Sequence, residues 1–128
     1  MRNLAPVVGL TLAVALSLTS PLLSQAGHAH VNGTWDVHIE HFTGRIVDEQ
    51  WVLEQDGQAV RGTVLVRDQK YPIDGMVEGQ TINLRVTVAA GTTPRYNIFL
   101  GTITNGRIAG DIKKENDDGR FTASRAAH

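Results

Sequence analysis

The sequence predicts an all-β protein, a single small antiparallel up-and-down β-barrel of about eight strands behind a signal peptide. Three observations predict it. Apolar and polar residues alternate with period two from Gly33 onward, and turn residues break the alternation roughly every 8 to 14 positions. No window carries the apolar stripe of an amphipathic helix.

In chain order the first element is a leader. Arg2 gives a positive start, residues 4–23 are apolar, and Ser24-Gln25-Ala26 puts small side chains at the positions a leader cut requires. The uncharged stretch 7–18 is shorter than the roughly 20 residues of a spanning helix. Residues 1–26 therefore read as a signal peptide, cleaved after Ala26, that exports the chain to a periplasm or the extracellular space; the alternative is an uncleaved N-terminal anchor. No further long apolar run follows, so no membrane span is expected after cleavage. Residues 27–32 read as a flexible mature N-terminus and residues 33–128 as the barrel domain. The chain has no cysteine, so stability must come from a core and from closure of the sheet.

Strands are expected at 34–41, 46–55, 59–66, 70–77, 80–88, 96–104, 107–114 and 120–125. The fifth is the plainest: Ile82, Leu84, Val86 and Val88 share one face, and Thr81, Asn83, Arg85 and Thr87 the other. Asp56-Gly57, Glu78-Gly79, Asn105-Gly106 and Asp118-Gly119 are turn pairs that tolerate the positive φ of tight hairpins. Residues 89–95, with Gly91 and Pro94, read as the longest loop. Short connections pair each strand with its sequence neighbour, and closing such a meander removes its free edges.

A repeat runs through these strands. Val60-Arg61-Gly62-Thr63-Val64, Ile73-Asp74-Gly75-Met76-Val77, Phe99-Leu100-Gly101-Thr102-Ile103 and Ile108-Ala109-Gly110-Asp111-Ile112 each place a glycine on the inward face between two core residues. Glycine weakens a flat strand. Gly62, Gly75, Gly101 and Gly110 therefore imply sharp strand coiling or close backbone approach in a narrow barrel.

Gly33-Thr34-Trp35 at the first strand and Phe121-Thr122-Ala123-Ser124-Arg125 at the last resemble the calycin barrels: the lipocalins, fatty-acid-binding proteins and avidins. The similarity is greatest to small exported bacterial domains that carry a G-x-W start, an L-x-Q-x-G element, here Leu53-Glu54-Gln55-Asp56-Gly57, and an F-x-A-x-R end. Those domains are mostly uncharacterised. The resemblance implies that Trp35 plugs one end of the barrel and that Arg125 packs across it. A guanidinium over an indole is a favourable contact on physical grounds as well. The chain has no room after Arg125 for the lipocalin C-terminal helix, and with only two tryptophans it does not carry over the biotin site of avidins.

Charge excludes one class of function. A formal net charge of −1 with scattered Lys and Arg offers no basic face for nucleic acid. Neither a phosphate-cradling glycine loop nor a Gly-x-Ser-x-Gly nucleophile motif is present, so no catalytic residue, cofactor or metal is assigned. The interior offers more. Glu49 and Trp51 share the inward face of the second strand, and His41 falls on the Trp35-Val37-Ile39 face near the same rim. Tyr71, Tyr96 and Phe99 are expected to line or cap the interior alongside them. An eight-stranded barrel either fills with side chains or holds one small ligand.

The leading expectation is an exported binding protein for a small apolar or amphipathic molecule, of undetermined oligomeric state. The runner-up is an interaction or envelope domain with a solid interior. A third reading is an enzyme that uses His41 and Glu49 as an acid–base pair. A fourth is a copper binder: a cut after Ala29 would leave His30 as an N-terminal nitrogen donor. His38 and His41, three apart on a strand, point to opposite faces and cannot pair on a metal.

Overall fold

A computed structural model describes residues 28–127, except 91, 92 and 116. The expected signal peptide and the expected cut after Ala26 lie outside the described residues. Eight strands follow one another: β1 (Gly33–His41), β2 (Ile46–Asp56), β3 (Ala59–Val66), β4 (Gln69–Glu78), β5 (Thr81–Ala90), β6 (Thr93–Thr104), β7 (Arg107–Lys113) and β8 (Gly119–Arg125). Each pairs antiparallel with the next, and β8 returns to pair with β1, so the sheet closes into an up-and-down barrel. No described helix is long and apolar enough to cross a membrane.

The expected loop at 89–95 is a correction. The β5–β6 ladder continues through Val88↔Arg95 and Ala89↔Pro94 to Ala90↔Thr93. Pro94 is tolerated because β7 pairs with β6 only from Ile98 onward, which leaves the other side of β6 without a neighbour at that point. Asn105 (φ 52°) and Gly106 (φ 74°) form the left-handed pair that a two-residue hairpin needs. Asp118-Gly119 works differently. Gly119 opens β8 with no room for a Cβ, which would overlap the Glu40 carbonyl oxygen on β1.

Alternation sends Trp35, Trp51, Phe99 and Phe121 inward, all essentially without solvent exposure. Trp51 meets Phe99 edge-on at 4.9 Å, Phe99 meets Phe121 edge-on at 5.1 Å, and these rings fill the middle of the barrel. The repeated glycines have the expected role. A Cβ at Gly62, Gly75 or Gly110 would overlap the carbonyl oxygen of Val52, Asn83 or Leu100 on the adjacent strand. At Gly101 it would crowd the Phe121 ring at 3.0 Å. Three of the four thus permit backbone approach and the fourth makes room for a core ring.

One end of the barrel is sealed by residues 28–32, where the sequence suggested a free tail. The Ala29 N–H donates to the Gly79 carbonyl, and Val31, fully buried, donates its N–H to Gln55 Oε1 at 2.7 Å. Gln55 Nε2 returns a bond to the Ala29 carbonyl at 2.9 Å. Trp35 lies beneath this strap and donates its indole N–H to the Val31 carbonyl at 3.0 Å. The Arg125 guanidinium stacks 4.5 Å over the indole while donating to the carbonyls of His30 and Asn32. Trp35 and Arg125 therefore meet as the sequence suggested; the strap buries Trp35, while Arg125 stays exposed at its edge.

Candidate functional site

The opposite end is a mouth. At this end lie the β1–β2 and β3–β4 turns, the last residues of β5 and β7 and the first of β6 and β8. Because side chains alternate, the residues that reach it are the inward positions nearest each strand's end. They enclose a cavity of about 200 Å³. Val47, Val64, Val66, Val86 and Val88 supply apolar walls, and Glu49, His41, Tyr71, Asn97 and Lys114 supply polar groups. A recess of about 710 Å³ on the outside of β4–β7 is larger, but outward side chains such as Met76, Arg85 and Leu100 line it and it lies open to solvent. The buried side chains of Ile39 and Ile112 also line the mouth, and a recess of about 720 Å³ beside it shares Val88, Asn97 and Lys114.

Glu49 is half-buried and accepts a 2.8 Å hydrogen bond from the Trp51 indole N–H. Burial pushes its carboxyl above the ordinary value of 4.5, with that hydrogen bond and the Lys114 charge opposing. Lys114 is held below its ordinary value, first by burial and then by the nearby Arg45 charge. Among the described residues its ammonium has neither a hydrogen bond nor an ion pair; only its backbone N–H is engaged, with Asp118 Oδ1 at 3.0 Å.

A clasp braces one side of the mouth. Asp117 accepts from Arg45 Nε at 3.1 Å, from Arg45 Nη2 at 2.8 Å and from the Thr43 hydroxyl at 2.8 Å. These bonds hold its carboxyl below the usual range, Arg45 first and Thr43 second. His41, 5% exposed, donates from Nδ1 to the Asp117 carbonyl at 2.6 Å and presents Nε2 to Arg45 at 3.4 Å. The imidazole therefore carries its proton on Nδ1 in this arrangement. It shares the cavity with Glu49, but among the described residues no hydrogen bond joins the two. His41 serves the clasp and Glu49 serves Trp51.

The remaining candidates separate by face. Tyr71 lines the cavity, Trp51 lies under it as donor to Glu49, and Phe99 is deeper, against Trp51. Tyr96 is a correction. It is 46% exposed on the outer face, with the Arg85 guanidinium 4.9 Å over its ring. Tyr96 and Phe99 stand three apart on β6, so alternation cannot send both inward. Asn97 holds the inward place instead. Lys114, Asn97, Arg45 and Asp117 were not singled out from the sequence. Lys114 had a signal, since it continues the inward series Ile108, Gly110, Ile112 past the strand end. The clasp had none, because its partners are 72 positions apart.

Ala29, which a cut before His30 would remove, is bonded into the strap on both its N–H and its carbonyl. Among the described residues no three His, Asp or Glu side chains gather as a metal site.

No protein-family model matches the sequence, and neither does any curated protein. Among solved structures the chain is similar to one described as a redesigned beta barrel. The TM-score is 0.54 and the identity 13%, over 75% of this chain and 91% of that one. At that identity the likeness speaks for the fold alone, a closed antiparallel β-barrel.

Proposed function

We propose that the chain is an exported barrel of the calycin kind that binds a small amphipathic molecule in its mouth. The observation that carries this reading is the asymmetry of the two ends. The strap closes one completely, while the other keeps a cavity of about 200 Å³ with valine walls and a few polar groups. That combination is typical of ligand sites, although the volume lies below the roughly 300–1,000 Å³ of drug-sized pockets. It suits one small molecule or the end of a longer one. Export rests on the leader at residues 1–26. The kinship rests on the Trp35–Arg125 plug.

A solid-core interaction domain is the second reading, and the Trp51–Phe99–Phe121 packing favours it. Native mass spectrometry of the protein purified from its source separates the two. A non-covalent adduct that disappears in a cavity-filling Val88→Phe variant is the expected result. Bare polypeptide mass in both samples would overturn the binding reading in favour of the filled domain.

A further inference from the structure

The chemistry of the mouth narrows what it can hold. Two half-buried charged side chains face one small cavity, and among the described residues no ion pair joins them. Among the described residues Glu49 has a single hydrogen-bond partner, the Trp51 indole, and Lys114 has none for its ammonium. Arg45, the nearest other cation, is already tied to Asp117. Around these two groups the walls are mostly valine side chains, with the uncharged polar groups of Tyr71 and Asn97 among them.

An apolar ligand with no charge would leave both groups desolvated and unpaired, which is costly. A ligand with one charge would satisfy one group and desolvate the other further. A ligand with two like charges would meet repulsion at one of them. We infer that the mouth takes a small zwitterion with an apolar side chain, of the class of the free apolar amino acids. Its ammonium would lie on Glu49, its carboxylate on Lys114 and its side chain against Val47, Val66, Val86 and Val88. This inference depends on the proposal that the mouth binds a ligand, and it specifies that ligand's class. The electrostatics agree: burial disfavours the charged form of both side chains, and a bound zwitterion would restore both.

The two tryptophans make a convenient pair of reporters. The Trp51 indole N–H touches Glu49, while the Trp35 indole N–H sits under the strap at the far end. The test is a titration of 15N-labelled protein with L-leucine, with 4-methylpentanoate, which lacks the ammonium, and with 3-methylbutan-1-amine, which lacks the carboxylate. L-Leucine should shift the Trp51 indole resonance at a concentration at least tenfold lower than either analogue, and leave Trp35 unmoved. Lys114→Met should weaken leucine binding about tenfold without affecting the amine. Glu49→Gln should weaken leucine and the amine without affecting the carboxylate. If either analogue matches leucine, the zwitterion inference is overturned while binding at the mouth stands. Silence from all three overturns it too, and the mass spectrum of the source protein then decides the binding reading by itself.

Discussion

The two ends of this barrel are built from the same strands and are finished by opposite means. At the strap end, polar groups of residues 28–32 meet Gln55, Gly79 and Arg125, and backbone carbonyls do most of the accepting. At the mouth, side-chain charges take over: one set is spent on the clasp, and another, Glu49 and Lys114, is left facing the cavity. The difference teaches where stability and function reside. A hydrogen-bonded seal over a buried indole holds the fold together, whereas half-buried charges without an ion-pair partner cost stability, and on the proposed reading the mouth keeps them for its ligand.

The largest effect should come from the seal. Trp35→Ala removes a fully buried indole and should cost about 3–5 kcal/mol, as large aromatic truncations do. Arg125→Ala should cost less, and the two losses should fall short of additivity because the groups touch at 4.5 Å. Additive losses in a denaturant double-mutant cycle would mean that the seal is not a unit.

Next come the glycines on which close approach of the strands, and so closure of the sheet, depends. Gly75→Val drives a side chain into the Asn83 carbonyl, and Gly101→Val drives one into Phe121. Overpacking of this kind costs about 1–3 kcal/mol. Thr102→Val, exposed on the outer face, should stay within about 0.5 kcal/mol of the parent. Thermal melts of the three variants check this, and glycine variants as stable as the parent would contradict the closed sheet.

The smallest effects belong to the mouth, where two carboxyls respond to pH in opposite senses. Glu49 titrates above its ordinary 4.5 when folded, so the folded chain holds that proton more tightly than the unfolded one. Its contribution to stability falls as pH climbs from about 4.5 through the raised value. Glu49→Gln keeps an oxygen for the Trp51 indole, so it should melt higher than the parent at neutral pH and converge with it in acid. Asp117 is held below its ordinary 3.8, so it contributes stability above that value and loses it as pH falls through the folded value. Asp117→Asn should therefore melt lower at neutral pH and converge with the parent in strong acid. Melting curves from pH 2 to 8 distinguish the two; parallel profiles would show that neither carboxyl is placed as described.

Most of the barrel could be read from the chain because its strands obey one local rule. Inward alternation, as in residues 81–88, needs only neighbouring residues to be visible, and glycines on that face announce tight approach. The same rule, applied strictly, would have placed Tyr96 outside and brought in Asn97 and Lys114. What local reading could not supply was anything made by topology. The clasp joins Arg45 to Asp117 because β1 and β8 are neighbours only after closure. The strap has no periodicity at all; its order comes from Gln55 and Arg125, which no pattern within residues 28–32 can reveal.

The strap also bears on how long the protein stays folded. Every strand pair but one joins sequence neighbours, and these zip up locally. The β1–β8 seam alone must bring together distant parts of the chain, and pairing of that kind is slow to form. Arg125 bonds to carbonyls 93 and 95 positions earlier, directly across that seam. Contacts that can be made only after the seam has closed are absent at the folding barrier, so they act on the unfolding rate. Arg125→Ala should therefore hasten unfolding in a stopped-flow chevron and leave the refolding limb almost where it was. A slowed refolding limb would place the strap earlier on the path. With the refolding limb unmoved, the strap would be a kinetic latch, fastened last, that sets the lifetime of a barrel whose walls have already formed.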